Sequence, residues 1–180
     1  MLEKHSSKNL ISLKNNLKYF WIFQVIFVFL RKLFKYKYME KKNWIYFGVF
    51  LDTVSKTNNL TALRDYNVVV PKDWKTFNHH MTIAFNNGSE EARSLYNYYQ
   101  IYLEDSSMKN PIVYLVVDGI GISDEAIALR VKWELPIANK TPHITIATPQ
   151  NGKPVNSNKI TKWFDIEPYQ ISGMLQVFSK

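Results

Sequence analysis

The chain has 180 residues, 46% hydrophobic and 21% charged, which is enough for one domain with a real core and argues against a disordered chain. It has no Cys, which excludes a disulfide framework, thiolate metal ligands and a cysteine nucleophile, and four His without Cys argue against a structural zinc site. The net charge of +8 sits in residues 1–42, which hold ten Lys or Arg and two Glu. The other residues carry thirteen of each sign, so no broad basic surface for duplex nucleic acid is expected there.

Residues 1–42 read as a separate basic arm, and residues 43–180 as one domain. Within the arm, Tyr19 to Leu30 is an apolar run of 12 residues between Lys18 and Arg31. As a helix it would span about 18 Å, against about 30 Å of hydrocarbon. Leu33 and Phe34 could extend it, and the flanking cations could snorkel. Three readings are open. The arm is a non-native extension ahead of a start at Met39, or it contacts a membrane through residues 19–34, or it packs on the domain. A cleaved signal peptide fits poorly, because no small-residue cleavage site follows. The expected location is cytoplasmic, with membrane association through the arm as the alternative.

In chain order, Trp44–Leu51 reads as a buried strand, rich in aromatic and β-branched residues. Asp52 to Asn59 reads as a polar loop or helix start. Asn67–Val70 reads as a short strand stopped by Pro71, and His79–Phe85 as a strand ended by Asn86-Asn87-Gly88. Ser89 caps a helix opened by Glu90 and Glu91 and running to about Leu103. Ile112–Val117 is a strand. A turn at Asp124-Glu125 precedes Ala126–Trp133, which alternates with period two. His143–Ala147 is a strand, Asn156–Trp163 a short helix and Gln170–Phe178 the last strand. The pattern predicts a single α+β domain.

Two of these strands echo one another. Aligned on His80 and His143, both read His-x-Thr-Ile-Ala, 63 residues apart. Period-two geometry puts His80 and Thr82 on one face and His143 and Thr145 on one face, with the apolar partners behind. By the same alternation His79 points away from His80 and reads as structural. Two imidazoles and two hydroxyls in one cleft suit phosphodiester chemistry without a metal: a base for the nucleophile, an acid for the leaving oxygen, and donors for the phosphoryl oxygens. Histidine serves both proton roles near neutral pH. A lone His-x-Thr on a strand is ordinarily structural; the matched pair is what carries the signal.

His80-x-Thr82-Ile83 and His143-x-Thr145-Ile146 resemble the two motifs of the two-histidine (2H) phosphoesterase superfamily. The resemblance runs from about Trp44 to Phe178. It implies a bilobal, pseudo-two-fold α+β fold with antiparallel sheets lining a central cleft and helices outside. It also implies a metal-independent, cofactor-free phosphodiesterase acting on a cyclic nucleotide phosphate, either a 2′,3′-cyclic phosphate at an RNA end or a small cyclic nucleotide, or, as in the RNA 2′–5′ ligase-like members, on a 2′–5′ linkage. In that reading His143 is the general base, His80 the general acid, and Thr82 and Thr145 hold the phosphate; the pseudo-symmetry leaves the exchange of base and acid between the two His open. An RNA- or nucleotide-binding module without turnover and a phage-type enzyme degrading cyclic oligonucleotide signals are the alternatives. The chain is expected to be a monomer.

Further candidates for substrate contact are Trp74, which could stack a base, Tyr46 and Phe50 on the first strand, and Lys140, three residues before His143. For each, a core or solvated role is the plainer reading. Asn151 to Asn158, after the second motif strand, suits an anion or nucleobase contact and an ordinary loop equally well. Three Asn-x-Ser/Thr sequons, at Asn59, Asn87 and Asn139, read as chance in an Asn-rich chain.

Overall fold

The structure is a computed structural model describing residues 44–105 and 111–179. The expectations for the arm, its apolar run and Met39 fall outside the described residues. The elements are β1 (Trp44–Leu51), α1 (Thr53–Asp65), β2 (Trp74–Thr76), β3 (His80–Phe85), α2 (Glu90–Asp105), β4 (Ile112–Ile122), β5 (Ile127–Lys132), β6 (His143–Pro149), a 3₁₀ turn (Pro154–Lys159) and β7 (Trp163–Ser179).

The fold is α+β and sheet-rich. The strands run in the order β2-β6-β3-β1-β7-β4-β5, every pairing is antiparallel, and β5 also pairs with β6. That last pairing closes the sheet into a barrel, which leaves few free edges. β2 continues the edge of β3 along β6: Phe77 and Asn78 donate to Ile146 and Thr145 carbonyls between the two strands. The interruption is at Asn78, whose φ is 52°.

One face of the sheet is the core. Phe47, Val49, Met81, Ile83, Ile144, Leu129 and Leu175 are buried on it, with Leu63 of α1 and Tyr99 of α2 in the same cluster. Tyr46, Phe50, His80 and Thr82 alternate with these residues and project from the opposite face.

Several expectations are corrected. The segment after Asp52 is a full helix of 13 residues, capped by the Asp52 carboxylate accepting from the Ser55 amide at 2.7 Å. Its buried stripe is Ser55, Asn59 and Leu63, four apart. Two of the three are polar, so the sequence shows no apolar stripe. They are satisfied instead: Ser55 Oγ accepts from the Ser172 amide, and Asn59 bonds Asn78 and Tyr169.

Asn67–Val70 is not a strand. Asn67 takes φ 57° just past the helix, and the Val68 amide donates to the Leu63 carbonyl, which closes the helix end. β4 and β7 run longer than expected. β4 continues through Gly119 and Gly121, while β7 starts at Trp163 and carries Pro168 where its register with β4 shifts. The helical turn expected at Asn156–Trp163 is instead 3₁₀ and lies at Pro154–Lys159.

Candidate active site

β3 and β6 pair through Met81 opposite Ile144. In an antiparallel ladder this register puts His80 across from Thr145 and Thr82 across from His143. The two His-x-Thr motifs thus meet head to tail about a local two-fold at the Met81–Ile144 pair. Met81 and Ile144 are wholly buried in the core, so the four polar side chains share the other face.

Each imidazole is held through Nδ1. His143 Nδ1 lies 2.7 Å from the Thr141 carbonyl oxygen. A carbonyl only accepts, so Nδ1 carries the proton and Nε2 presents a lone pair. His80 Nδ1 bonds His79 Nδ1, and His80 Nε2 lies 3.0 Å from Thr82 Oγ1. An imidazole partner can donate or accept, so the neutral His80 ring can carry its single proton on Nε2, whereas the neutral His143 ring keeps its proton on Nδ1. Thr145 Oγ1 is 2.9 Å from Ser157 Oγ of the 3₁₀ turn, and Ser157 is buried.

Burial favours neutral rings. It pulls His80 down to about 4, with the neighbouring His79 adding to the shift. It also lowers His143, against the opposing pull of the Thr141 carbonyl. His79 is lowered by burial and then by Lys56. Arg130, paired with His143 across β5 and β6, is a nearby cation already engaged by Asp118 at 2.7 Å and Asp165 at 2.6 Å.

His79 is the first correction at the site. Its ring stacks on His80 at 4.5 Å instead of pointing away. β3 begins at His80, and the left-handed Asn78 breaks the chain just before His79, so strand alternation does not extend back to it. Tyr46 does reach the site: its ring stacks on His80 at 4.6 Å, and Phe178 stacks on Tyr46 at 5.0 Å. Phe50 joins them, 5.5 Å from His80, and is a site-face residue instead of a core one.

Trp74 is the second correction. It pairs with Pro149 and packs against the core. Against β5, β6 shifts register by one residue between Ala147 and Thr145, so the face presented at Thr145 is reversed beyond it. Lys140 lies in the loop before β6 and lines a cavity beside His143 with Thr141 and Trp163. Sequence reasoning missed Phe178, Ser157 as the partner of Thr145, and Trp163, whose ring lies 6.3 Å from that of His143. Phe178 reaches the site face as the register partner of Tyr46, a β1–β7 pairing that the sequence does not carry.

Among the described residues no three His, Asp or Glu side chains are grouped to hold a metal ion, and no helix is long and apolar enough to cross a membrane. No curated protein sequence matches the chain. Among solved structures it resembles a chain described as the crystal structure of a fungal RNA kinase. The identity is 14% and the TM-score 0.42, over 77% of this chain and 45% of that one, so this chain spans less than half of it. The family model of the fungal tRNA ligase phosphodiesterase domain matches residues 64–176, a stretch holding both His-x-Thr motifs. The chain therefore belongs to the fungal tRNA ligase phosphodiesterase domain family, within the two-histidine phosphoesterases.

Proposed function

We propose that the protein hydrolyses a 2′,3′-cyclic phosphate at an RNA end by two-histidine acid–base catalysis, without a metal or other cofactor. The observation that carries this reading is the crossed placement of His80 and Thr82 against His143 and Thr145 on one face of paired strands. The local two-fold supports a pseudo-symmetric, two-lobed reading of the cleft. Family membership supports an RNA-related substrate.

The hydrogen bonds favour unlike roles for the two rings. His143, with Nδ1–H fixed on a carbonyl, offers Nε2 as general base. Water attacks phosphorus, and its proton passes to His143 Nε2. The bond from phosphorus to one ribose oxygen breaks, and that oxygen takes a proton from His80 Nε2. A phosphomonoester and a free hydroxyl remain. Thr82 and Thr145 hydroxyls donate to the non-bridging oxygens, where charge develops. The arriving phosphate anion favours protonated His80 over the neutral ring of the free protein.

The deciding experiment is a panel of 2′,3′-cyclic mononucleotides, RNAs ending in 2′,3′-cyclic phosphate and cyclic oligonucleotides, with each product identified. Ring opening of the cyclic phosphate in excess chelator is expected. Binding without turnover would overturn the catalytic reading in favour of a recognition module. Activity lost to chelator and restored by a divalent ion would overturn the mechanism.

A further inference from the structure

The cavity beside His143 has a volume of about 510 Å³ and has no part in the acid–base step. Two short segments on either side of β6 build it. Lys140 and Thr141 stand on one side, and Asn158, Ile160, Thr161 and Trp163 on the other. It is tied to the reacting centre twice: the Thr141 carbonyl holds His143, and Ser157 of the cavity wall bonds Thr145. Ile160 is buried and packs with Trp163 on Ala126 and Ala128, so these two form an apolar wall. The other lining side chains are polar or cationic.

The donors on this wall are unspent. Lys140 forms no ion pair with the described residues, and the Asn158 and Thr161 side chains form no hydrogen bond with them. Lys159, by contrast, is matched by Glu125 at 2.8 Å. An unpaired cation, an amide and a hydroxyl beside an apolar floor are the recognition elements of a nucleoside phosphate. The His80 side of the centre differs. It has a cation in Lys56, close enough to lower His79, but beside the reacting ring it presents the stacked row of Tyr46, Phe50 and Phe178, which suits a base face.

We infer that this cavity binds the phosphodiester and nucleoside immediately 5′ of the reacting end, so that the protein acts on an RNA strand in preference to a mononucleotide. The inference rests on the proposed chemistry at His80 and His143 and adds the polarity of the bound strand. The terminal base lies toward the aromatic row, and the strand leaves over Lys140.

The test uses the full chain with two probes: a 2′,3′-cyclic mononucleotide, and a short RNA of the same terminal base ending in 2′,3′-cyclic phosphate. The ratio of their kcat/KM values is expected to favour the RNA by at least about tenfold, the size of one charge-assisted contact. Lys140→Ala and Asn158→Ala should each bring the ratio toward one, and Lys140→Arg should keep it. Equilibrium binding of a matching RNA with a 3′-phosphate, measured in parallel, should weaken about tenfold in the Ala variants. A ratio near one in the unmodified protein, or a ratio and RNA affinity untouched by both Ala changes, overturns the cavity assignment while leaving the hydrolase reading standing. Absence of all turnover with RNA binding that still depends on Lys140 overturns the hydrolase reading and keeps the cavity.

Discussion

At the scale of single residues, the two proposed catalytic rings have matched anchors of unlike chemistry. The anchor of His143 is a carbonyl and cannot titrate, while that of His80 is the imidazole of His79, which can. Replacing His80 or His143 by Ala should lower the rate roughly 10²–10⁴-fold, measured as kcat on the RNA substrate. His79 acts through His80 as a positioning residue. His79→Ala should reduce kcat by about tenfold, the order of one lost hydrogen bond to a charged group. It should also move the alkaline limb of the kcat/KM profile, which reports the acid, to higher pH, because the neighbouring ring that lowers His80 is gone. A fall in kcat with an unmoved profile would mean that His79 only fills space.

The same rings set a stability dependence. His80 is held near 4 in the fold and returns to about 6.5 on unfolding, so between those values the unfolded chain binds more protons. Stability should therefore fall as pH drops from about 6.5 toward 4, by on the order of 3 kcal/mol from His80, with His143 adding in the same direction. Urea titrations at pH 7, 5 and 4 measure it. Equal stability at the three values would show that the rings are not desolvated.

At the scale of elements, β1 is the strand that seats the first motif, and Gly48 is the point of closest approach. A Cβ there would lie 2.5 Å from the Met81 carbonyl oxygen, a backbone atom that cannot rotate away. Gly48→Ala should push β3 off β1 and displace His80 and Thr82, which flank Met81. A loss of about 1–3 kcal/mol is expected in urea unfolding, together with a fall in kcat. Unchanged kcat in a folded variant would show that the motif tolerates the shift.

The legibility of each element follows from what buries it. Strands such as Trp44–Leu51 and His143–Ala147 could be read because their burial is apolar and their alternation is local. Helix α1 could be read only at its cap, because Ser55 and Asn59 are buried through hydrogen bonds to Ser172, Asn78 and Tyr169, residues far away in sequence. The motif residues could be read because period two fixes their face within one strand. The crossed His–Thr opposition could not, because it depends on the β3–β6 register. His79 was misassigned for a related reason: one left-handed residue, Asn78, ends the alternation on which the assignment depended.

At the scale of the whole chain, charge and chemistry are separated along the sequence. The segment holding both motifs is electrically balanced, and the excess of +8 belongs to residues 1–42. We expect the arm to govern how strongly RNA is held and residues 43–180 to govern what is done to it. Single-stranded RNA binding weakens with salt by a slope of about −0.7 per phosphate neutralised. Residues 1–38 hold eight Lys or Arg and one Glu. If three of those cations contact phosphates, a chain beginning at Met39 should bind RNA with a slope shallower by about 2. Its kcat/KM on a 2′,3′-cyclic mononucleotide, which has a single phosphate to neutralise, should stay within about twofold of the full chain. Affinity measured from 50 to 300 mM salt checks the first expectation, and steady-state kinetics on the mononucleotide the second. Equal salt slopes would remove the arm from RNA binding and leave a membrane surface as its remaining anionic partner. Loss of folding on truncation would instead make the arm part of the core.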